Sequence, residues 1–170
     1  TRAADTVYAL LSQVANSSTG LVPDFAKGRP CVPDPQAGGT NEPNAADYRY
    51  NACRVPLRIA YDYAHYQTSG AKNWLDKVSG WVKGKTSGNP SSLSEGYTLS
   101  GTSLGGVYSV TYASPFAAAC IANSSNQTFL NTLWDYINDD YGNDEYSLAI
   151  NLLSCLLISG NWWSPQLVTP

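Results

Sequence analysis

The stretch Tyr50-Asn51-Ala52-Cys53-Arg54-Val55-Pro56-Leu57-Arg58, running on through Ile59-Ala60-Tyr61-Asp62-Tyr63-Ala64, decides the fold. Its apolar residues fall on more than one side of a helix, the pattern of a helix buried on most faces. Two guanidinium groups and an amide stand within it. Arginine is seldom buried without a partner, so Arg54 and Arg58 must meet carboxylates, carbonyls or a polar ligand. Such a helix either satisfies its arginines inside a helical protein or lines a polar cleft of sugar size. Pro56 falls in the first turn, where a missing N–H costs little.

Working outward, the periodicity predicts five more helices. Ala3 to Val14 places Val7, Leu10, Leu11 and Val14 at helical spacing and stops at a polar run ending in Gly20. A helix over 71–83 carries Trp74, Leu75, Val78, Trp81 and Val82 on one face. Further helices are expected over 115–122, 126–138 and 144–159, the last apolar nearly all round and capped by Asp144. Residues 20–49 lack any period and are rich in Pro, Gly, Asn and Asp; a connection of that length is usually functional. The 84–103 connector is rich in Gly, Ser and Pro. The fold class is therefore all-α, about six helices joined by long loops, with residues 1–170 as one domain.

Composition narrows the function. A net charge of −3 without a basic patch argues against nucleic acid and anionic membrane as partners, and the run from Leu148 to Ile158 is too short and polar to span a bilayer. The aromatic set is 12 Tyr and 5 Trp against 3 Phe, and Tyr and Trp combine a flat apolar face with a polar tip that suits sugar rings. Cys31, Cys53, Cys120 and Cys155 have no metal-ligand spacing; they permit three disulfide pairings or free buried thiols. The acidic 138–145 loop lacks the ligand order of a calcium loop, so no metal and no cofactor is expected. His65, the single histidine, leaves little room for a serine-histidine-aspartate triad. Asn16, Asn123 and Asn126 open glycosylation sequons, which permit an extracellular location without demanding it. The chain opens at Thr1 without any Met, the mark of a processed product or a piece of a longer chain.

Five segments, in order, resemble glycoside hydrolase family 8. They are Gly20-Leu21-Val22-Pro23-Asp24-Phe25, the Tyr50–Arg58 stretch, Gly96-Tyr97-Thr98-Leu99-Ser100-Gly101-Thr102, Phe129-Leu130-Asn131-Thr132-Leu133-Trp134-Asp135-Tyr136, and the closing Ser147-Leu148 to Trp162-Trp163-Ser164-Pro165. The resemblance implies the C-terminal half of an (α/α)6 barrel, with six of its twelve helices, and a secreted protein. It implies inverting endo-hydrolysis of a β-1,4-linked polysaccharide, glucan or chitosan. The absent N-terminal half, on a second chain or a removed segment, would carry the general acid.

Inversion needs two carboxyl groups about 6.5–9.5 Å apart across the scissile bond. One branch of the family has its base aspartate at the position of Asn51, and an amide cannot take that proton. A second branch has Asn there and keeps the base on an inserted loop upstream, which here offers Glu42, with Asp47 as the alternative. Arg54 matches the arginine that supports the base and the attacking water. Arg58 is expected to anchor through a carboxylate such as Asp62, four residues along the helix. Tyr48, Tyr50 and Tyr146 are the candidates for sugar contact. Ser94-Glu95-Gly96 looks like the acid motif of the absent half but sits in the Gly-Tyr-x-Leu-x-Gly context, and is read as coincidence. The rival reading is a non-catalytic carbohydrate-binding or structural protein on the same fold.

Overall fold

The computed structural model describes residues 2–37, 43–106, 109–139 and 142–163. Six helices follow in order: α1 (Arg2–Val14), α2 (Val55–Tyr66), α3 (Ser69–Lys85), α4 (Val110–Ala119), α5 (Gln127–Asp139) and α6 (Glu145–Ile158). A two-residue hairpin, β1 (Ala26–Lys27) with β2 (Val32–Pro33), decorates the first long loop. Among the described residues no helix is long and apolar enough to cross a membrane.

Helix α4 is the hub. All ten of its residues are buried, and α2, α3, α5 and α6 pack around it. Helices α2, α4 and α6 touch one another as one layer, while α3 and α5 lie behind as a second. This layered alternation of helices is the expected partial (α/α)6 barrel. The run Ala117-Ala118-Ala119 lets the backbones approach, and Phe116, Tyr112 and Leu133 fill the space around it.

Helix ends follow local chemistry. Thr68 accepts the Ala71 N–H at the start of α3, Ser109 accepts that of Thr111 in α4, and Asp144 accepts that of Ser147 in α6. The cap at Asp144 is as expected. Helix α4, expected from Pro115, starts five residues earlier, because Ser109 caps it there. Pro115 is carried inside the helix, where burial of every residue outweighs the missing N–H.

Two other expectations are corrected. Helix α1 packs through Tyr8 and through Leu11 and Val14 of the expected stripe, whereas Val7 and Leu10 are exposed at 58% and 44%. Its anchor is polar: the Tyr8 hydroxyl donates to Asp62 at 2.5 Å, which rotates the helix away from its most apolar stripe. Asp62 is thereby taken, since Thr68 also donates to it, and Arg58 is exposed without an ion pair among the described residues. The four cysteines are free thiols. Burial pushes Cys53 and Cys120 up to about 12, so both stay protonated.

Polar groups inside the helix layers fix how the helices face each other. Asn151 of α6 accepts the Ser114 hydroxyl of α4 at 2.9 Å and donates to the Ile137 carbonyl of α5 at 2.9 Å. Ile137 lies in the last turn of α5, where carbonyls have no partner within the helix. Replacing Asn151 with Ala leaves a buried hydroxyl and a buried carbonyl unpaired, each worth about 1–3 kcal/mol. Asn151→Ala should therefore lower the unfolding free energy by about 2–4 kcal/mol in urea titration. A loss under about 1 kcal/mol would mean that the three helices are held by apolar packing alone.

Candidate active site

The 3-10 turn Ala52–Arg54 that leads into α2 has no cap of its own, since the Asn51 side chain makes no capping bond to it. The missing acceptor comes from another part of the chain. The Asp24 carboxylate takes the backbone N–H groups of Arg49 at 2.9 Å, Asn51 at 3.1 Å and Ala52 at 2.7 Å, and the Asn51 side-chain amide at 3.3 Å. A carboxylate at the positive end of a helix is well placed electrostatically. Asp24 itself is set by its own N–H, which donates to the Asp47 carbonyl at 2.8 Å, and the Phe25 N–H donates to the Ala45 carbonyl.

With its amide held toward Asp24, Asn51 turns its side-chain oxygen to Arg54. Arg54 Nη2 donates to that oxygen at 2.9 Å and Nε to the Asn51 backbone carbonyl at 3.3 Å. The guanidinium also lies over the Tyr146 ring, 5.9 Å from its centroid. Among the described residues Arg54 has no carboxylate ion pair, so carbonyl oxygens and a ring face satisfy it.

Tyr50 and Tyr146 form one wall of an open, polar cleft of about 360 Å³, with Glu95, Ser109, Asn143, Asp144 and Ser147 around it. The Tyr146 hydroxyl donates to the Tyr50 carbonyl and contacts the Cys53 thiol. Tyr50 stands edge-on to Tyr112 and is 39% exposed, and its hydroxyl donates to Glu95 Oε2 at 3.3 Å. Burial, then the Glu95 charge, raises Tyr50; burial, then the Cys53 contact, raises Tyr146. Both hydroxyls are held as neutral donors.

The candidates therefore separate. Asn51, Arg54, Tyr50 and Tyr146 come together at the N-terminal ends of α2 and α6. Tyr48 does not join them: it is fully buried, stacked on Phe116 at 5.6 Å and 21°, so no sugar reaches it. Its backbone pairs with Tyr97, and this turns its ring into the core. Glu42 lies outside the described residues. Asp47 is half-buried, and burial raises it. Among the described residues no group of His, Cys, Asp and Glu is arranged to hold a metal ion.

Two residues at the site were missed by sequence reasoning. Asp24 lies in the Gly20–Phe25 segment, where spacing assigns it no role; the missing local cap before Ala52 is the available signal. Glu95, in a context that reads as coincidence, lines the cleft. Gly96 (φ +111°) lets Arg49 pass so close that a Cβ would meet its Cδ at 2.6 Å, and Arg49 Nη1 then donates to the Glu95 carbonyl at 2.8 Å.

No family model matches the chain. It is 41% identical over 167 residues to an endoglucanase of Bacillus sp. (strain KSM-330), covering 95% of this chain and 35% of that protein. The structure superposes on the apo beta-1,3-1,4-glucanase of Paenibacillus sp. X4 with a TM-score of 0.88 at 35% identity, covering 95% of this chain and 44% of that one. A GH8 xylobiose complex from Teredinibacter turnerae shares the fold, with a TM-score of 0.77, 24% identity, and coverage of 94% and 40%. The chain spans between a third and two fifths of the length of the curated relatives it matches.

The Asp24 interaction can be tested directly. Asp24→Ala removes the acceptor for three backbone N–H groups, so the unfolding free energy should fall by about 3 kcal/mol or more. Hydrogen exchange at the amides of Arg49, Asn51 and Ala52 should speed up well beyond that at the core amides of α4. Equal acceleration everywhere would show that Asp24 does not hold this turn in particular.

Proposed function

We infer that this chain belongs to glycoside hydrolase family 8, and we propose from that premise that it forms the second half of an inverting catalytic domain that cuts a β-1,4-linked glucan internally. The observation that carries this reading is the Asp24–Asn51–Arg54 cluster set against an open polar cleft walled by Tyr50 and Tyr146. The endoglucanase and glucanase relatives match the chain along nearly its whole length, which supports the same chemistry.

In this reading Glu42 is the general base and the general acid comes from the remaining half of the domain. Asp47, on the same loop, is the alternative base. Asn51 cannot accept the proton. It acts as a fixed dipole whose orientation Asp24 and Arg54 set from its two ends, and Arg54 thereby positions the polar edge beside the base and the attacking water. The remaining half also has a surface to cover: Leu148 and Leu152 of α6 stand 45% and 61% exposed, an apolar flank of the kind that contacts bury. Secretion fits an enzyme whose substrate is a polymer outside the cell.

The decisive experiment uses the chain together with the rest of its domain and measures reducing-sugar release from β-glucan and from chitosan. A general base is worth about 10²–10⁴-fold in rate. Glu42→Gln should cost that much in kcat with KM nearly intact, while Asp47→Asn should cost little. The reverse pattern would make Asp47 the base. A parent enzyme that cleaves neither polymer would leave only a non-catalytic role.

Arg54→Lys supplies an independent check. Lysine keeps the charge but loses the planar fork that grips both oxygens of Asn51. Turnover should fall at least about tenfold, a barrier change of about 1.4 kcal/mol, with the thermal midpoint moving little. A midpoint that drops in step with activity would mark Arg54 as a structural residue only.

A further inference from the structure

Glu95 is the cleft group that the proposed chemistry leaves unused. Its place is built rather than incidental. The antiparallel bridge between Tyr48 and Tyr97 brings its segment beside Tyr50, and Arg49 holds its backbone carbonyl. On the other side the Gly106 backbone (φ +78°) presses against its side chain: a Cβ there would meet Glu95 Cβ and Oε2 at 2.8 Å. One carboxylate oxygen takes the Tyr50 hydroxyl, and among the described residues the carboxylate has no ion pair. It therefore faces the cleft as a charged acceptor with capacity to spare.

The sequence around it points the same way. No Lys, Arg or His occurs after Lys85, yet residues 86–170 hold six of the thirteen acids, Glu95, Asp135, Asp139, Asp140, Asp144 and Glu145. The cleft wall formed by Glu95, Ser109 and residues 142–147 is drawn entirely from that stretch. Both nearby cations are committed: Arg49 to the Glu95 carbonyl and the Tyr50 ring face, 5.4 Å from its centroid, and Arg54 to the two Asn51 oxygens and the Tyr146 ring. The wall therefore presents negative charge and hydrogen-bond acceptors to a ligand.

We propose that Glu95 is a specificity-determining residue of this cleft: its carboxylate, beside the Tyr50 hydroxyl, receives hydrogen bonds from sugar hydroxyls and rejects glycans that carry carboxylates. A carboxylate has two oxygens and accepts from donors of either a neutral or an ammonium-bearing sugar. A uronate residue in the same place would set its charge against Glu95 and Asp144, and like charges brought together at a recognition surface are costly. The inference rests on the carbohydrate reading of the cleft but not on hydrolysis.

The test is calorimetric titration of the chain, assembled with the rest of its domain, using cellohexaose and its C6-carboxylated counterpart. The wild type should bind the neutral hexamer about tenfold or more tightly than the carboxylated one, with the gap narrowing in 0.5 M salt, where the screening length is only a few ångströms. Glu95→Gln keeps the shape and should close most of that gap at an unchanged thermal midpoint. Glu95→Lys should reverse the preference, and Glu95→Asp should restore part of it. Equal affinity for the two hexamers in the wild type, or a ratio unmoved by both Glu95→Gln and Glu95→Lys, overturns the proposal. Binding of neither hexamer overturns it together with the carbohydrate reading. A charge preference that responds to Glu95 in a protein that hydrolyses nothing upholds it and sinks only the catalytic reading.

Discussion

The carboxylate of Asp24 is the constraint on which the site depends. A turn that enters a buried helix leaves N–H groups without partners, and here no neighbouring side chain supplies them with an acceptor. Asp24 does so from 25 to 28 residues upstream, which pins the long first loop against the start of α2. The consequences are geometric. With Arg49, Asn51 and Ala52 held by their backbones, Tyr50 must project outward, Cys53 must go inward, and Asn51 must present its side-chain oxygen to Arg54. One acid thus sets the direction of three side chains.

The scaffold behind this turn is rigid for a different reason. Helix α4 is buried on every side, so its neighbours are located by packing, while buried polar pairs fix how they face each other. The Thr111 and Ser147 hydroxyls meet at 2.7 Å between α4 and α6, and the Asn126 amide donates to Ser79 of α3 at 2.9 Å. Apolar contact alone would tolerate a sliding helix; a buried hydrogen bond does not, because breaking it leaves both groups unsatisfied. The cleft lies where α2 and α6 start, and the tie between Thr111 and Ser147 acts beside it.

What the sequence disclosed follows from which forces are local. Local pattern located the six helices seen among the described residues, a buried stripe in some and an all-round apolar or small-residue run in α4 and α6, because both are written into neighbouring residues. Where a distant partner decided, reading failed. Val7 and Leu10 looked like the packed face of α1 until the bond from Tyr8 to Asp62 set its rotation. The same bond removed Asp62 from Arg58. Tyr48 and Tyr50 are two residues apart, as on one face of a strand, yet one is core and the other rim, because Tyr48 pairs with Tyr97 while Asp24 grips the backbone on both sides of Tyr50. The resemblance singled out Asn51 and Arg54, which the structure joins by hydrogen bonds, but Asp24 and Glu95 act through partners that no spacing rule relates to them.

The titration states of the wall explain why it suits a neutral polyhydroxyl ligand. Burial raises Tyr50 and Tyr146, so their hydroxyls remain donors at ordinary pH. Burial also holds the Cys53 thiol neutral, up to about 12. Asp144 moves the opposite way: the Ser147 hydroxyl and N–H hold its carboxyl below the usual range. A group with a depressed folded pKa stabilises the fold above its unfolded value and loses that contribution as pH falls through the folded one. The cap of α6, and with it the floor of the cleft, therefore weakens only in acid, while the tyrosines keep their protons. Across the range between, the wall pairs neutral donors with charged acceptors, and a sugar ring offers hydroxyls that can meet both.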